Sequence, residues 1–227
     1  MPTTPTAIFK QIGLKVKGQV KWNNSIPINM CGLYVIALTD NADSLVCNKT
    51  PSFCDIAFDN WLKTINSGSK QILIDNIPAN RESLKQRLLE FWLPDETIIY
   101  IGKAGPTKNR TLRKRVNEYY MTKLCCDKKH AGGHWINVLQ NINELTVFFS
   151  DYSENDIDEM EEKMLSYFID NVTETTKNCL HDKINCFPFA NKVIHKKAIR
   201  SKITKKHGLD NQTIDCGNQW KKKKNGL

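Results

Sequence analysis

The sequence lacks a long apolar run, since no segment approaches the ~18 consecutive apolar residues that a membrane-spanning helix needs. Its first residues, Met1 to Thr6, are rich in proline and threonine and lack the apolar centre of a secretory signal. The eight cysteines lack the regular spacing of a secreted disulfide scaffold. We therefore expect a cytoplasmic protein that has no membrane partner and keeps most of its thiols reduced.

Residues 1–191 have no surplus of charge, because 22 basic residues balance 22 acidic ones. Residues 192–227 hold eleven Lys or Arg against two Asp, so the whole formal charge of +9 lies there. Such a one-sided basic segment commonly binds phosphate backbones. The predicted DNA contacts are Lys196, Lys197, Arg200, Lys202, Lys205 and Lys206. The terminal run from Lys221 to Lys224 fits a solvated tail equally well.

Apolar periodicity predicts a single domain of the α/β (α+β) class, with no internal repeat and no linker. The predicted strands are Leu33–Leu38, Gln71–Ile74, Thr97–Ile101 and Leu145–Phe149. The predicted helices are Cys54–Ile65, a helix marked by Leu84, Leu88 and Trp92 that stops before Pro94, Thr111–Lys123 and Ile157–Ile169.

The helix Ile157–Ile169 carries a carboxylate, Glu161, inside its apolar face. An unpaired carboxylate in such a position is costly, so it needs a partner. Three explanations fit the pattern: a basic partner residue, a position at the edge of the apolar face, and a bound metal ion. The inward-facing residues predicted for this helix are Ile157, Met160, Met164, Leu165 and Phe168.

A set of motifs in a fixed order resembles the GIY-YIG nuclease superfamily. The set consists of Gly32-Leu33-Tyr34, Tyr100-Ile101-Gly102, Arg115 with Tyr119 four residues later, Glu161, and Pro188 with Asn191. The resemblance implies a small, mostly antiparallel sheet flanked by helices. It places the nuclease core at about 30–39 and 97–191, a helical insertion at 40–96 and a basic extension at 192–227.

The resemblance also implies roles for the two tyrosine motifs. Tyr34 resembles the general base that takes a proton from the attacking water, and Tyr100 would position it by hydrogen bonding. A phenol has a pKa near 10, so Tyr34 needs a cationic neighbour such as Lys103 to lower it.

The remaining motif residues resemble the groups that hold the phosphate and the metal. Arg115 would bridge phosphate oxygens with its planar guanidinium group, and Tyr119, on the same helical face, would hydrogen-bond the phosphate. Glu161 would bind Mg²⁺ or Mn²⁺, because such ions take one carboxylate and keep several waters. Asn191 resembles the closing asparagine of the family.

Three alternatives stay open at this level. Arg113 competes with Arg115, because the second motif is separated from the arginine helix by extra residues, and Asn185 competes with Asn191. Two cysteine and histidine clusters lack the paired spacing of a zinc finger, although each could hold zinc. The clusters are Cys125, Cys126, His130 and His134, and Cys179, His181 and Cys186. We expect His134 to lie in a loop near DNA or near the active site.

Together these features predict a Mg²⁺-dependent endonuclease, a phosphodiester hydrolase that acts on double-stranded DNA. The long insertion suggests a sequence-specific restriction enzyme, and cutting a palindrome would require a homodimer. Alternatives are a structure-specific repair or mobile-element nickase, a catalytically silent DNA-binding module, and a structural protein that bound zinc stabilises.

Overall fold

The computed structural model describes residues 3–27, 29–45, 50–68, 70–106, 109–126, 132–196 and 201–215. Its strands are β1 (Gly18–Lys21), β2 (Gly32–Ala37), β3 (Leu73–Ile74), β4 (Ile77–Pro78), β5 (Ile98–Ala104), β6 (Thr146–Asp151), β7 (Val193–Lys196), β8 (Ser201–Thr204) and β9 (Leu209–Asp210). Its helices are α1 (Pro5–Gln11), α2 (Asp55–Asn66), α3 (Arg81–Leu89), α4 (Leu112–Tyr120), α5 (Gly133–Ile136), α6 (Ile157–Asn171) and α7 (Glu174–Cys179). A short 3₁₀ helix, Ile142–Glu144, precedes β6.

The centre of the fold is a four-stranded sheet with the order β1-β6-β2-β5. All its neighbouring strands run antiparallel. Two small sheets, β4-β3-β9 and β7-β8, accompany it in the described part of the chain. A mixed α/β fold with a mostly antiparallel sheet is thus confirmed.

Helices cover both faces of this sheet, which explains why every residue of β2 is buried. Successive side chains of a strand point to opposite faces. Tyr34 and Ile36 therefore enter the core that α2 and α4 close, whereas Leu33 and Val35 enter the core closed by α1 and α6. The result is a continuous apolar strand rather than an alternating one.

The four predicted helices are present as α2, α3, α4 and α6, with ends shifted by a few residues. Thr111 caps α4, because its side chain accepts a hydrogen bond from the Lys114 N–H. The predicted inward face of α6 is also correct. Its buried residues are Ile157, Met160, Met164, Leu165 and Phe168.

The basic extension is more closely integrated than its composition predicted. Ile194 and Leu209 are buried, and β9 pairs with β3 of the insertion. The indole N–H of Trp61 in α2 donates to the Gln212 carbonyl at 2.8 Å. The parts of the extension that contain Ile194, Leu209 and Gln212 are therefore a structural part of the domain, because they pack on the core and on the insertion.

Cysteine states agree with the expectation of mostly free thiols, with one exception. The free cysteines are Cys31, Cys54, Cys125, Cys179 and Cys186. Cys126 is disulfide-bonded, whereas Cys47 and Cys216 lie outside the described residues. Among the helices that the structure describes, none has the length and apolarity to cross a membrane.

Candidate active site

A cleft of about 1150 Å³ opens where β5, α4, α6 and the segment leading into β7 meet. Six of the seven residues predicted for catalysis and metal binding line this cleft. They are Tyr100, Lys103, Arg115, Tyr119, Glu161 and Asn191. Four separate parts of the chain supply them, so it is the fold that brings them together.

Gly102 explains how the two tyrosine motifs fit together. It lies opposite Tyr34 in the β2–β5 register. A Cβ atom at position 102 would lie 2.5 Å from Cε1 of Tyr100 and 2.8 Å from the Tyr34 hydroxyl oxygen, so only glycine leaves room for both rings. The rings of Tyr34 and Tyr100 stack at 5.9 Å, and the ring of Tyr119 lies 5.0 Å from that of Tyr100.

Tyr34, the seventh predicted residue, is completely buried and is not part of the cleft lining. Its hydroxyl makes no hydrogen bond of normal geometry within the described residues, although the Tyr100 phenol is its neighbour. Burial raises the pKa of Tyr34 well above its usual value, and Tyr100 and Glu161 raise it further. The cation that lowers this pKa is Arg115, where the sequence had suggested Lys103.

The side chains of Arg115 and Arg113 point in different directions. Arg115 lines the cleft, and its Nη1 atom donates to Glu118 Oε2 at 3.1 Å. Arg113 points elsewhere, because its guanidinium group donates to the carbonyl of Ile26 at 2.9 Å and to that of Pro27. Of the two arginines, it is thus Arg115 whose side chain reaches the cleft.

Lys103 connects the second tyrosine motif to the carboxylates of α6. Its backbone N–H donates to the carboxylate of Glu161, and its ammonium group pairs with Asp158. Burial raises the pKa of Glu161 to about 7, against the opposing charges of Lys103 and Arg115. A carboxylate in this setting gains from a further cation in the cleft.

The donor set suits a magnesium-like ion better than zinc. No group of three His, Cys, Asp or Glu residues that could hold a metal occurs in the described ranges. Zinc sites require three or four protein ligands, whereas Mg²⁺ is satisfied by one or two carboxylates, waters and substrate phosphates. Glu161, half-buried at the cleft wall, fits the second pattern.

Asn191 is fixed to the strand that carries the second motif. Its carboxamide oxygen accepts from the Ile101 N–H at 2.9 Å, and its NH₂ group donates to the Ile101 carbonyl at 2.8 Å. Both polar ends of the side chain are thus used by the backbone. Asn185 instead donates to Asp182 Oδ2 at 2.8 Å, so of the two it is Asn191 that contacts the strand with the second motif.

The prediction of a loop position for His134 is wrong. This residue lies in α5, is 2% exposed and stacks on Trp61 at 6.2 Å, so it is a core residue. Burial lowers its pKa to about 4. His130, its possible zinc partner, lies outside the described residues. In the second cluster, Cys179 is exposed whereas Cys186 is buried.

The predicted DNA contacts differ in their surroundings. Lys196 pairs with Glu162 at 3.3 Å and lines the cleft together with the exposed Lys202. Lys206 is exposed but is not among the residues that line the cleft. Lys197 and Arg200 lie outside the described residues.

Lys205 is a core residue and was wrongly predicted as a DNA contact. It is 2% exposed, and its ammonium group donates to the carbonyls of Pro188 and Phe189 at 3.1 and 2.8 Å. The same group lies 5.1 Å from the centre of the Trp135 ring. Burial also lowers its pKa well below the usual lysine value.

Sequence reasoning missed three basic residues of the cleft, Arg110, Lys192 and His195. Arg110 is exposed and lies just before the cap of α4, a position that composition does not mark. Lys192 follows Asn191 directly, and burial lowers its pKa to about 7 while its Nζ atom donates to Gln212 Oε1 at 2.6 Å. The adjacency to Asn191 is the one signal that could have identified Lys192.

Comparison with known proteins found no matching family model, no matching curated protein and no matching solved structure. The likeness to GIY-YIG nucleases therefore depends on the motif residues and on their placement around one cleft.

Proposed function

We propose that the protein is a Mg²⁺-dependent DNA endonuclease of the GIY-YIG type. The observation that carries the proposal is that one cleft is lined by Tyr100, Lys103, Arg115 and Glu161. The ring of the buried Tyr34 stacks on that of Tyr100. These residues come from β2, β5, α4 and α6, and the fold brings them together.

The charge of the cleft suits a polyanion. In the described part of its lining, six Lys and Arg residues face three carboxylates. Two of those carboxylates, Asp158 and Glu162, already pair with Lys103 and Lys196. The cleft is also larger than the roughly 300–1,000 Å³ of a typical small-molecule pocket. A phosphodiester chain fits both properties.

Different residues of the site would supply the groups that phosphodiester hydrolysis requires. Glu161 would hold the divalent ion, which supplies positive charge for the phosphate oxygens and the leaving group. Arg115 would bind two phosphate oxygens through its planar fork. Tyr34 would act as the base only as a phenolate, which takes the proton of the attacking water and becomes the neutral phenol again. Arg115 would favour that phenolate, because its charge opposes the rise in the pKa of Tyr34.

We further propose that cleavage is sequence-specific and that a homodimer cuts the two strands of duplex DNA, in a cytoplasmic setting. The insertion and the extension share the sheet β4-β3-β9, so both belong to one body that could contact DNA flanking the cut. Sedimentation of the DNA complex tests the dimer, because a complex with a single protein chain would contradict it.

The decisive experiment is digestion of a long duplex genomic DNA with Mg²⁺ by the wild type, Glu161→Gln and Glu159→Gln. Glu159 is the matched control, because it is exposed on the same helix and does not line the cleft. Discrete fragments from the wild type and from Glu159→Gln, but not from Glu161→Gln, would support the proposal. Cutting of flaps or branches alone would indicate a structure-specific nickase, and binding without cutting a silent module.

A further inference from the structure

The strands β7 and β8 form a two-stranded ribbon at the rim of the cleft. Their register pairs Ile194 with Ile203 and His195 with Lys202. Ile194 is 1% exposed and packs in the core that α6 closes, so the β7 strand is anchored to the domain. Lys196 adds a second anchor, because its Nζ atom lies 3.3 Å from Glu162 Oε1 and 3.3 Å from Ser166 Oγ.

The β8 strand of this ribbon is uncovered. All four of its residues are exposed, and within the described ranges it pairs with β7 alone. Proteins usually protect such an edge, since its free backbone groups invite pairing with other chains. The edge carries Ser201, Lys202 and Thr204, with Ile203 as its single large apolar residue, 36% exposed. A polar and cationic edge of this kind suits an anionic partner better than an apolar protein surface.

The ribbon faces the site where the scissile phosphate would lie. His195 and Lys202, which are opposite one another, are both exposed and both line the cleft that holds Arg115 and Glu161. Two paired strands lie about 4.8 Å apart, so a ribbon enters the major groove of B-DNA, which is about 12 Å wide. Lysine and histidine side chains can donate hydrogen bonds to guanine O6 and N7 in that groove.

We propose that the β7–β8 ribbon reads base edges in the major groove beside the cleavage site, with His195 and Lys202 as the residues that determine specificity. This inference rests on the proposed nuclease function. Lys196 then positions the ribbon, because it ties β7 to the turn of α6 that contains Glu161. The helix α6 would thus hold both the base-reading ribbon and the metal-binding carboxylate.

The test compares the wild type with His195→Ala, Lys202→Ala and a control, Lys10→Ala. Lys10 is exposed on α1, and it does not line the cleft. Each protein cuts a pool of duplexes with a randomised segment, and the cut ends are sequenced. We expect the preference at one or two base pairs to fall about tenfold in the ribbon variants and to persist in Lys10→Ala. Thermal melts confirm that the exposed substitutions leave the fold intact.

A second readout does not depend on cleavage. The Glu161→Gln protein is bound to the duplex pool, and protection of guanine N7 from dimethyl sulfate maps contacts in the major groove. Loss of that protection on adding Lys202→Ala supports the ribbon as the reader, even if the wild type never cuts. An unchanged base preference in both ribbon variants, or an equal loss on all sequences, overturns the inference while leaving the nuclease function standing.

Discussion

The side chain of Asn191 substitutes for a neighbouring strand at Ile101, since it bonds both the N–H and the carbonyl of that residue. Ile101 lies between Tyr100 and Gly102, so the asparagine fixes the backbone of the second tyrosine motif from the side opposite β2. This relationship connects the last motif of the sequence to the second one, 90 residues earlier.

Replacing Asn191 with Ala should therefore affect stability and catalysis together. Two buried backbone groups lose their partners, which costs about 2–3 kcal/mol of unfolding free energy. The cleavage rate should fall while DNA affinity changes little, because Tyr100 and Lys103 are displaced but the basic groups of the cleft remain. Urea unfolding and single-turnover cleavage measure the two effects. Asn185→Ala is the control, and an equal loss of cleavage in it would contradict the positioning role.

The two arginines of α4 predict opposite outcomes. Arg115→Lys should lower the cleavage rate about 100-fold or more, because lysine lacks the planar fork that binds two phosphate oxygens. Arg113→Lys should instead reduce the unfolding free energy by about 1–2 kcal/mol, since it loses a hydrogen bond to the carbonyls of Ile26 and Pro27. Similar cleavage rates for the two variants would remove the basis for choosing Arg115.

Tyr34→Phe should lower the cleavage rate without lowering the stability of the fold. The Tyr34 hydroxyl is buried without a good hydrogen bond, so its removal should leave the melting temperature unchanged or raise it slightly. The same substitution should lower the cleavage rate about 100-fold or more, because phenylalanine cannot form the phenolate that would take the proton of the attacking water. A variant that is as stable and as active as the wild type would show that Tyr34 serves only packing.

The sequence was most informative where local pattern and function coincide. The strand with Tyr34 and the helix with Glu161 were predicted because their apolar periods are long and regular. The β7–β8 ribbon and β9 were missed, since a lysine-rich stretch with isolated apolar residues resembles a solvated tail. The docking of this segment depends on contacts such as that of Trp61 with Gln212, 151 residues apart, which no local pattern records.

Lys205 shows the same limitation for a single residue. Charge alone placed it among the DNA contacts, yet its methylene chain and amine lie beside Trp135 and two backbone carbonyls. Lysines can be satisfied in the interior by aromatic faces and carbonyl oxygens. Which lysine of a basic run turns inward is decided by the tertiary structure.

The contrast between the exposed Arg110 and the buried Lys205 predicts how DNA binding depends on salt. Arg110→Gln should lower the slope of log K against log salt concentration by about one, because each lost phosphate contact removes roughly 0.9 counterions. Lys205→Met should leave the slope unchanged, since the buried amine neutralises no phosphate. Fluorescence anisotropy with a short duplex at several salt concentrations gives both slopes. A reduced slope in Lys205→Met would contradict the core assignment.

The ionisation of Glu161 should make the stability of the protein depend on pH. Its pKa rises from an ordinary value of 4.5 to about 7 in the folded protein. Between these values the folded state binds more protons than the unfolded state, so stability should fall as pH rises through this range. Glu161→Gln lacks this titration. The variant should therefore be more stable than the wild type at pH 8, by up to about 3 kcal/mol, and equally stable at pH 4.

Magnesium should stabilise the wild type but not Glu161→Gln. An ion that binds the folded state adds stability in proportion to the logarithm of its concentration over Kd, so 10 mM Mg²⁺ should raise the wild-type melting temperature at pH 8 and leave Glu161→Gln unaffected. Cleavage should rise as pH increases through about 7, because the ionised carboxylate binds the metal. Glu159→Gln should behave as the wild type in all three measurements. A melting temperature that Mg²⁺ shifts equally in Glu161→Gln would place the ion at another site.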